Sequence, residues 1–310
     1  MKRFLKLISI PAFMALLLTS CGQSGPDTSW IKPQYDGHYY DGVDTTLTGL
    51  KLQKEIHKHM LRTHDYYVNY ADVNAYIAGT ATYTKGGKTY TVDMGIDSTK
   101  SLWAQGKYES FYTGKNYKTT SSWTREHVWP ASKSADLWTH EILDADEAGY
   151  VGGGSDLYHI RPVEYEVNEK RSNSRFYTFA SDDTYTVYPS QKYTQTPRYL
   201  KISGSKCEVD DSLKGDVARL GMYVYIHYKQ FNTGVEPLNS NVLLGNLRFQ
   251  DYMYVGADQT EDDAIARLLE WHKIDPVSEL ELTRNDVIEK VQGNRNPFVD
   301  HPEWALECFE

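Results

Sequence analysis

The sequence predicts an α+β fold, mostly helical, in a single domain. Three observations carry this. Apolar residues recur at helical spacing in several well-separated segments. The stretches that alternate Thr, Tyr and Val are short, as strands of small sheets are. And 310 residues, 40% hydrophobic and 24% charged, with no repeat or low-complexity block past the first 27, suffice for one body with a buried core.

The elements follow in chain order. Lys2, Arg3 and Lys6 precede an apolar run over 7–18, the layout of a secretory signal. Pro11 interrupts that run, which is too short to span a membrane comfortably. Leu18-Thr19-Ser20-Cys21 resembles a bacterial lipobox, which implies cleavage before Cys21 and lipidation of its thiol. The alternative is a chance cysteine beside a plain cleavage site. On the lipobox reading residues 1–20 are a signal and 21–37 a tether, with Ser24, Gly25, Pro26 and Asp27 as its flexible part. Residues 38–304 form the folded domain and 305–310 a tail. Within the domain, Leu52, Ile56 and Met60 at i, i+4, i+8 predict a first helix over 48–64. Gly86-Gly87 between alternating residues predicts a hairpin over 80–92. Residues 100–125 read as loops around short strands. Leu213, Val217, Leu220, Val224 and Tyr228 form a helical stripe, with Asp211 or Ser212 as its cap. Ile265, Leu268, Leu269 and His272 mark another helix, and Val287, Ile288 and Val291 a last one, ended by Gly293.

Composition narrows function. Past the N-terminus no run of 18 apolar residues exists, which excludes a multispanning membrane protein. Three cysteines are too few for a stapled scaffold. Cys207 and Cys308 fit either one bridge or two buried thiols. The net charge is −9, with 33 basic and 42 acidic residues. Losing Lys2, Arg3 and Lys6 with the signal leaves 30 against 42, or −12. That argues against a generally basic nucleic-acid coat protein, though not against a local basic patch. Charge is uneven. Residues 84–133 carry eight basic and four acidic residues, and residues 251–310 five basic and fifteen acidic.

Chemistry concentrates in the locally basic middle. Glu126 and His127, adjacent on a strand, would face opposite sides. Histidine is the natural general base near pH 7. A carboxylate and an amide oxygen suit a hard cation such as Mg²⁺. Pro162 is placed to open a helix. On that helix Asn168, Arg171 and Arg175, at i, i+3 and i+7, would share a face suited to a metal-bound phosphate, provided the helix survives Ser172-Asn173-Ser174. A solvated Glu-His pair and a solvated arginine face are the plain alternatives.

The order of motifs is more specific than any one of them. Arg125-Glu126-His127-Val128-Trp129-Pro130 is followed by Asp156-Leu157-x-His159-Ile160-Arg161-Pro162, then Val167-Asn168-x-x-Arg171-Ser172-Asn173. This resembles the bacterial endonuclease I family, secreted nucleases with a ββα-metal (His-Me finger) site. Residues 214–219, 268–272, Asp275-Pro276, Arg284-Asn285 and 292–303 resemble its later segments, and Tyr39-Tyr40 with Leu47-Thr48-Gly49 its opening. The resemblance spans most of 38–304. It implies His127 as general base, and Glu126 and Asn168 as ligands of one divalent ion, Mg²⁺ with Mn²⁺ or Ca²⁺ as substitutes. It further implies hydrolysis of DNA, and often RNA, with little sequence preference and with 5′-phosphate ends. Segment 292–303 is read as structural, a turn packed beside the finger.

Two positions depart from the family pattern. Tyr158 stands where relatives often have His. Disulfide-rich relatives carry an arginine between the finger strands, whereas residues 131–155 hold Lys133 and no Arg. Arg161, Arg171 and Arg175 are the remaining phosphate-binding candidates. The expected protein is a membrane-anchored, extracytoplasmic, monomeric lipoprotein nuclease that contacts nucleic acid through phosphates. Its rivals are a catalytically silent lipid-anchored nucleic-acid binder and an adhesion lipoprotein. Most of the 25 tyrosines, and His57, His59, His64, His140, His227 and His272, read as structural or surface residues.

Overall fold

The structure, a computed structural model, describes residues 27–118, 123–138, 151–189 and 196–310. Its fold is α+β, one domain of helices with short strands in small sheets. Helix α1 (Gly49–Thr63) buries Leu52, Ile56 and Met60 along one stripe. After the short α2 (Val73–Ile77), strands β1 (Thr82–Lys85) and β2 (Lys88–Thr91) pair antiparallel across Gly86-Gly87, as the alternation predicts. Helix α3 (Lys100–Trp103) leads into the antiparallel pair β3 (Lys107–Glu109) and β4 (Asn116–Lys118).

Strands β5 (Thr124–His127) and β6 (Ile160–Val163) form a separate antiparallel pair, followed by helix α4 (Tyr165–Arg171). Two expectations fail here. Pro162 does not open the helix; it lies inside β6 opposite Arg125. A two-stranded sheet has an outer edge on each strand, where proline's missing N–H is harmless, and the Pro162 carbonyl accepts from Phe111 N at 2.9 Å. Nor does the helix reach Arg175. It stops at Arg171 because Ser172 turns to φ +49°, and Arg175 starts the next strand. That strand, β7 (Arg175–Phe176), runs parallel to β10 (Lys206–Val209) in a four-stranded sheet of order β7-β10-β9-β8, with β8 (Thr186–Tyr188) and β9 (Leu200–Ser203).

Helix α5 (Lys214–Tyr228) is the axis of the domain, and all of its residues are buried. The stripe read from sequence is therefore one side of a helix enclosed all round. Its charged residues are paired: Lys214 Nζ lies 2.7 Å from Glu208, and Arg219 Nε 2.6 Å from Glu281. The expected cap is displaced, since Asp210 caps a single 3₁₀ turn over Asp211–Leu213 and α5 starts without a side-chain cap. Helix α6 (Glu261–Ile274) packs along α5. Helix α7 (Glu279–Gln292) ends, as predicted, at Gly293, whose φ of +85° favours glycine. Short helices α8 (Pro297–Asp300) and α9 (Glu303–Phe309) close the chain.

Residues 30–35 and 305–309 are more firmly placed than a tether and a tail would be. Trp30 packs edge-on against His272, Gln34 N donates to Asp300 O at 2.6 Å, and Tyr35 lies under the Arg295 guanidinium. The expected tail 305–310 falls largely in α9, where Gln53 Nε2 donates to Cys308 O and Ala305 and Cys308 are buried. Cys207 and Cys308 are separate buried thiols. Among the described residues, no helix is long and apolar enough to cross a membrane. Cys21, with the whole signal and lipobox, lies outside the described residues.

Candidate active site

The β5–β6 register sets the site. Glu126 stands opposite Arg161 and His127 opposite Ile160. Because strand side chains alternate, Glu126 turns inward, 2% exposed, while His127 on the other side is partly exposed. Helix α4 is tied to this strand by Asn168 Nδ2, which donates to the Arg125 carbonyl at 3.0 Å. A carbonyl only accepts, so the amide nitrogen must face it and Oδ1 is turned away. Among the described residues nothing donates to that Oδ1.

Glu126 sits in a small polar nest. Tyr112 donates to its Oε1 at 2.7 Å, and Arg171 Nη1 lies 3.1 Å from the same oxygen. Burial pushes its carboxyl above the usual range, and the Arg171 charge and the Tyr112 hydroxyl pull it back. Among the described residues no hydrogen bond engages Oε2. Glu126 Oε2 and Asn168 Oδ1 are thus uncommitted oxygen donors, one on β5 and one on the helix tied to it. Both are of the kind a hard divalent cation takes.

The His127 ring is oriented from a distant segment. Its Nε2 lies 2.9 Å from the Gly154 carbonyl. Since that oxygen can only accept, Nε2 carries the proton and the neutral ring presents its lone pair at Nδ1. Burial, with the Arg125 and Arg171 charges assisting, pushes the imidazole down to about 4, so it is neutral at physiological pH. The Tyr70 ring stacks beside it, with centroids 5.6 Å apart and planes 17° off parallel. Arg125 shares the His127 face of β5 and lies 3.8 Å over the same Tyr70 ring.

The preceding carbonyl serves a second histidine. His159 Nδ1 donates to Gly153 O at 2.6 Å, and its Nε2 accepts from Trp129 N at 3.0 Å. Glycine is required at 153, where a Cβ would sit 2.7 Å from the Trp138 ring. Further along the loop is Asp156, whose Oδ2 accepts from Tyr223 and Tyr228, each at 2.6 Å, and whose Oδ1 accepts from Tyr158 N and Gln292 Nε2.

The three arginine candidates separate. Arg161, 4% exposed, donates through Nε to Asp97 at 2.7 Å and lies over Phe111. Arg171, 1% exposed, binds Glu126 and donates to the His127 and Val128 carbonyls. Both are enclosed, holding the strands that carry the site. Arg175 is partly exposed, with Nη1 donating to Gln250 O and its guanidinium over Tyr254. His140 and Glu141 lie outside the described residues. Segment 292–303 packs beside the site: Gln292 Oε1 accepts from Leu157 N at 2.8 Å, and the Tyr158 hydroxyl donates to Asn294 O at 3.0 Å.

Sequence reasoning missed Gly154, Tyr70 and Arg125. Gly154 acts through a backbone carbonyl and Tyr70 lies in an unremarkable stretch, so neither carries a local signal. Arg125 was legible from strand alternation, being two residues before His127.

A sequence profile of the Endonuclease I family matches residues 46–303. An extracellular ribonuclease of Bacillus subtilis (strain 168) is 36% identical over 202 residues, 65% of this chain and 59% of that one. An extracellular ribonuclease of Bacillus amyloliquefaciens is 35% identical over 202 residues, 65% of this chain and 58% of its own length. The match thus spans less than two thirds of either curated relative.

Proposed function

The chain belongs to the Endonuclease I family, and from that premise we propose that it is a divalent-metal-dependent, sequence-tolerant endonuclease acting outside the cytoplasm. It hydrolyses phosphodiester bonds of DNA and RNA and leaves 5′-phosphate ends. The observation that carries this reading is the His127 ring, with its proton fixed at Nε2 by Gly154 O and its Nδ1 left to accept one from water. As the water attacks phosphorus, Nδ1 takes its proton, and the Gly154 carbonyl supports the imidazolium through Nε2–H. Glu126 Oε2 and Asn168 Oδ1 would hold the metal, Mg²⁺ by their chemistry, with Mn²⁺ or Ca²⁺ as substitutes. Such an ion, when bound, polarises the phosphate and stabilises the leaving oxygen.

Arg161 and Arg171 are committed to Asp97 and Glu126, so phosphate contact falls to the partly exposed Arg175 and Arg125. Contacts to phosphates and not to base edges account for sequence tolerance. The relatives named extracellular ribonucleases support RNA as a substrate and export as the route. We assign the membrane anchor to a lipidated Cys21 and the working form to a monomer.

Digestion of plasmid and of RNA by the purified protein, with Mg²⁺ and with EDTA, tests the reading. Cleavage that stops in EDTA and returns with Mg²⁺ or Mn²⁺ is expected, together with loss of activity in Asn168→Ala at unchanged fold. Full activity in EDTA removes the metal, and no cleavage of either polymer moves the silent binder to the front.

A further inference from the structure

Behind the loop that orients His127, we propose a second metal site, for a divalent ion of the zinc class, formed by His64, His227 and Asp156. His64 closes the C-terminal end of α1, His227 lies in the last turn of α5, and Asp156 lies on the loop that holds Gly153 and Gly154. Each is at most 2% exposed. One ligand atom from each lies within 4.8 Å of the other two.

The two imidazoles meet nitrogen to nitrogen, with His64 Nδ1 3.2 Å from His227 Nε2. Two nitrogens each about 2.1 Å from one ion stand roughly 3.0 to 3.4 Å apart, between octahedral and tetrahedral angles. The pair is therefore already at the separation of two ligands sharing a cation. One hydrogen bond between the rings accounts for only half of their polar atoms. Among the described residues, His64 Nε2 and His227 Nδ1 are buried with no hydrogen-bond partner, and so is the hydroxyl of Tyr67, whose ring stacks on His64 at 3.9 Å. The two ring atoms are the far nitrogens, which carry the protons of the neutral imidazoles when His64 Nδ1 and His227 Nε2 ligate.

The donor set selects the ion. Two imidazoles and one carboxylate suit zinc and its neighbours, whereas Mg²⁺ and Ca²⁺ take oxygen shells. Burial holds both imidazoles in the neutral form that ligates. Asp156 supplies the negative charge. Its oxygens already accept four hydrogen bonds, so the ion takes the place of one tyrosine hydroxyl, and the fourth coordination position falls to water. The ion would pin Asp156, two residues after Gly154, to α1 and α5, and so fix the loop from which His127 takes its orientation. The proposal does not rest on the nuclease reading, because its test counts bound metal.

The full chain, freed of metal and then titrated with Zn²⁺ or Co²⁺, is expected to bind one equivalent tightly, with the visible absorption of four-coordinate Co²⁺. Asn168→Ala and Glu126→Gln should keep that equivalent, and His64→Gln and His227→Gln should lose it. Zn²⁺ should raise the melting temperature of wild type and leave that of His64→Gln where it was. If the histidine variants do not fold, X-ray absorption at the zinc edge of the wild type decides, with two imidazole nitrogens expected. An all-oxygen shell overturns the proposal. So does wild type that binds no saturable Zn²⁺ or Co²⁺, or equal binding by wild type and the histidine variants.

Discussion

On the proposed reading His127 is the general base, and its surroundings divide into what sets its proton and what sets its plane. Gly154 O sets the proton. Removing the ring removes the base, so His127→Ala is expected to slow turnover by roughly 10²- to 10⁴-fold. Binding of nucleic acid should stay nearly constant, because affinity comes from cations on phosphates. Stopped digestion assays beside filter binding separate the two, and wild-type cleavage at pH 7.5 by this variant would sink the assignment. The plane is set by Tyr70, stacked at 5.6 Å. Tyr70→Phe keeps the ring and should keep kcat. Tyr70→Ala should lower kcat about tenfold, roughly the worth of a modestly misplaced group, with KM little changed. Equal loss in both variants would show that the hydroxyl, and not the stacking, matters. Glu126, His127 and Asn168 could be singled out because they fall in local motifs whose types and order resemble those of the family. Tyr70 and Gly154 could not, because they reach the site through tertiary packing from segments with no pattern of their own.

One arginine holds the β5–β6–α4 unit together. Arg171 pairs with Glu126 inside the protein and donates to the carbonyls of His127 and Val128 on the strand. Arg171→Met leaves the Glu126 carboxylate buried without its counter-charge, a loss of about 3–5 kcal/mol by the cost of breaking a buried pair. Urea denaturation should show it as a lower midpoint. A variant as stable as wild type, with nucleic-acid binding that is weaker and less dependent on salt, would instead return Arg171 to phosphate contact. At this scale the long elements were legible: the α1 stripe, the β1–β2 hairpin and the stop of α7 at Gly293 follow from period and glycine alone. Pro162 and Ser172 were not. Proline at a helix start and proline on a sheet edge look alike in sequence. The positive φ of Ser172 is imposed by the turn that sends Arg175 to pair with β10.

For the whole molecule, buried neutral histidines govern the response to acid. Burial pushes His159 and His272 each down to about 3, whereas in the unfolded chain they titrate near 6.5. Between those values the unfolded chain binds more protons than the fold. Their contribution is therefore complete above about pH 6.5 and is lost as pH falls toward 3. The melting temperature should drop steadily across that window, and a flat profile from 7 to 4 would contradict it. Replacing Cys21 with Ser should move the protein from the membrane to the soluble fraction, since each buried lipid CH₂ contributes about 0.8 kcal/mol. Wild type found freely soluble would remove the anchor. The closing of the fold on itself has a consequence for its assembly. Tyr40 donates to Asp300 across 260 residues, and Gln34 joins the same aspartate through its backbone. Contacts so distant along the chain form only after a large loop has closed, which slows folding. The N-terminal strap has no seat until α8 has been synthesised. In an incomplete chain this segment therefore stays without its partner, still free to be threaded through a narrow pore.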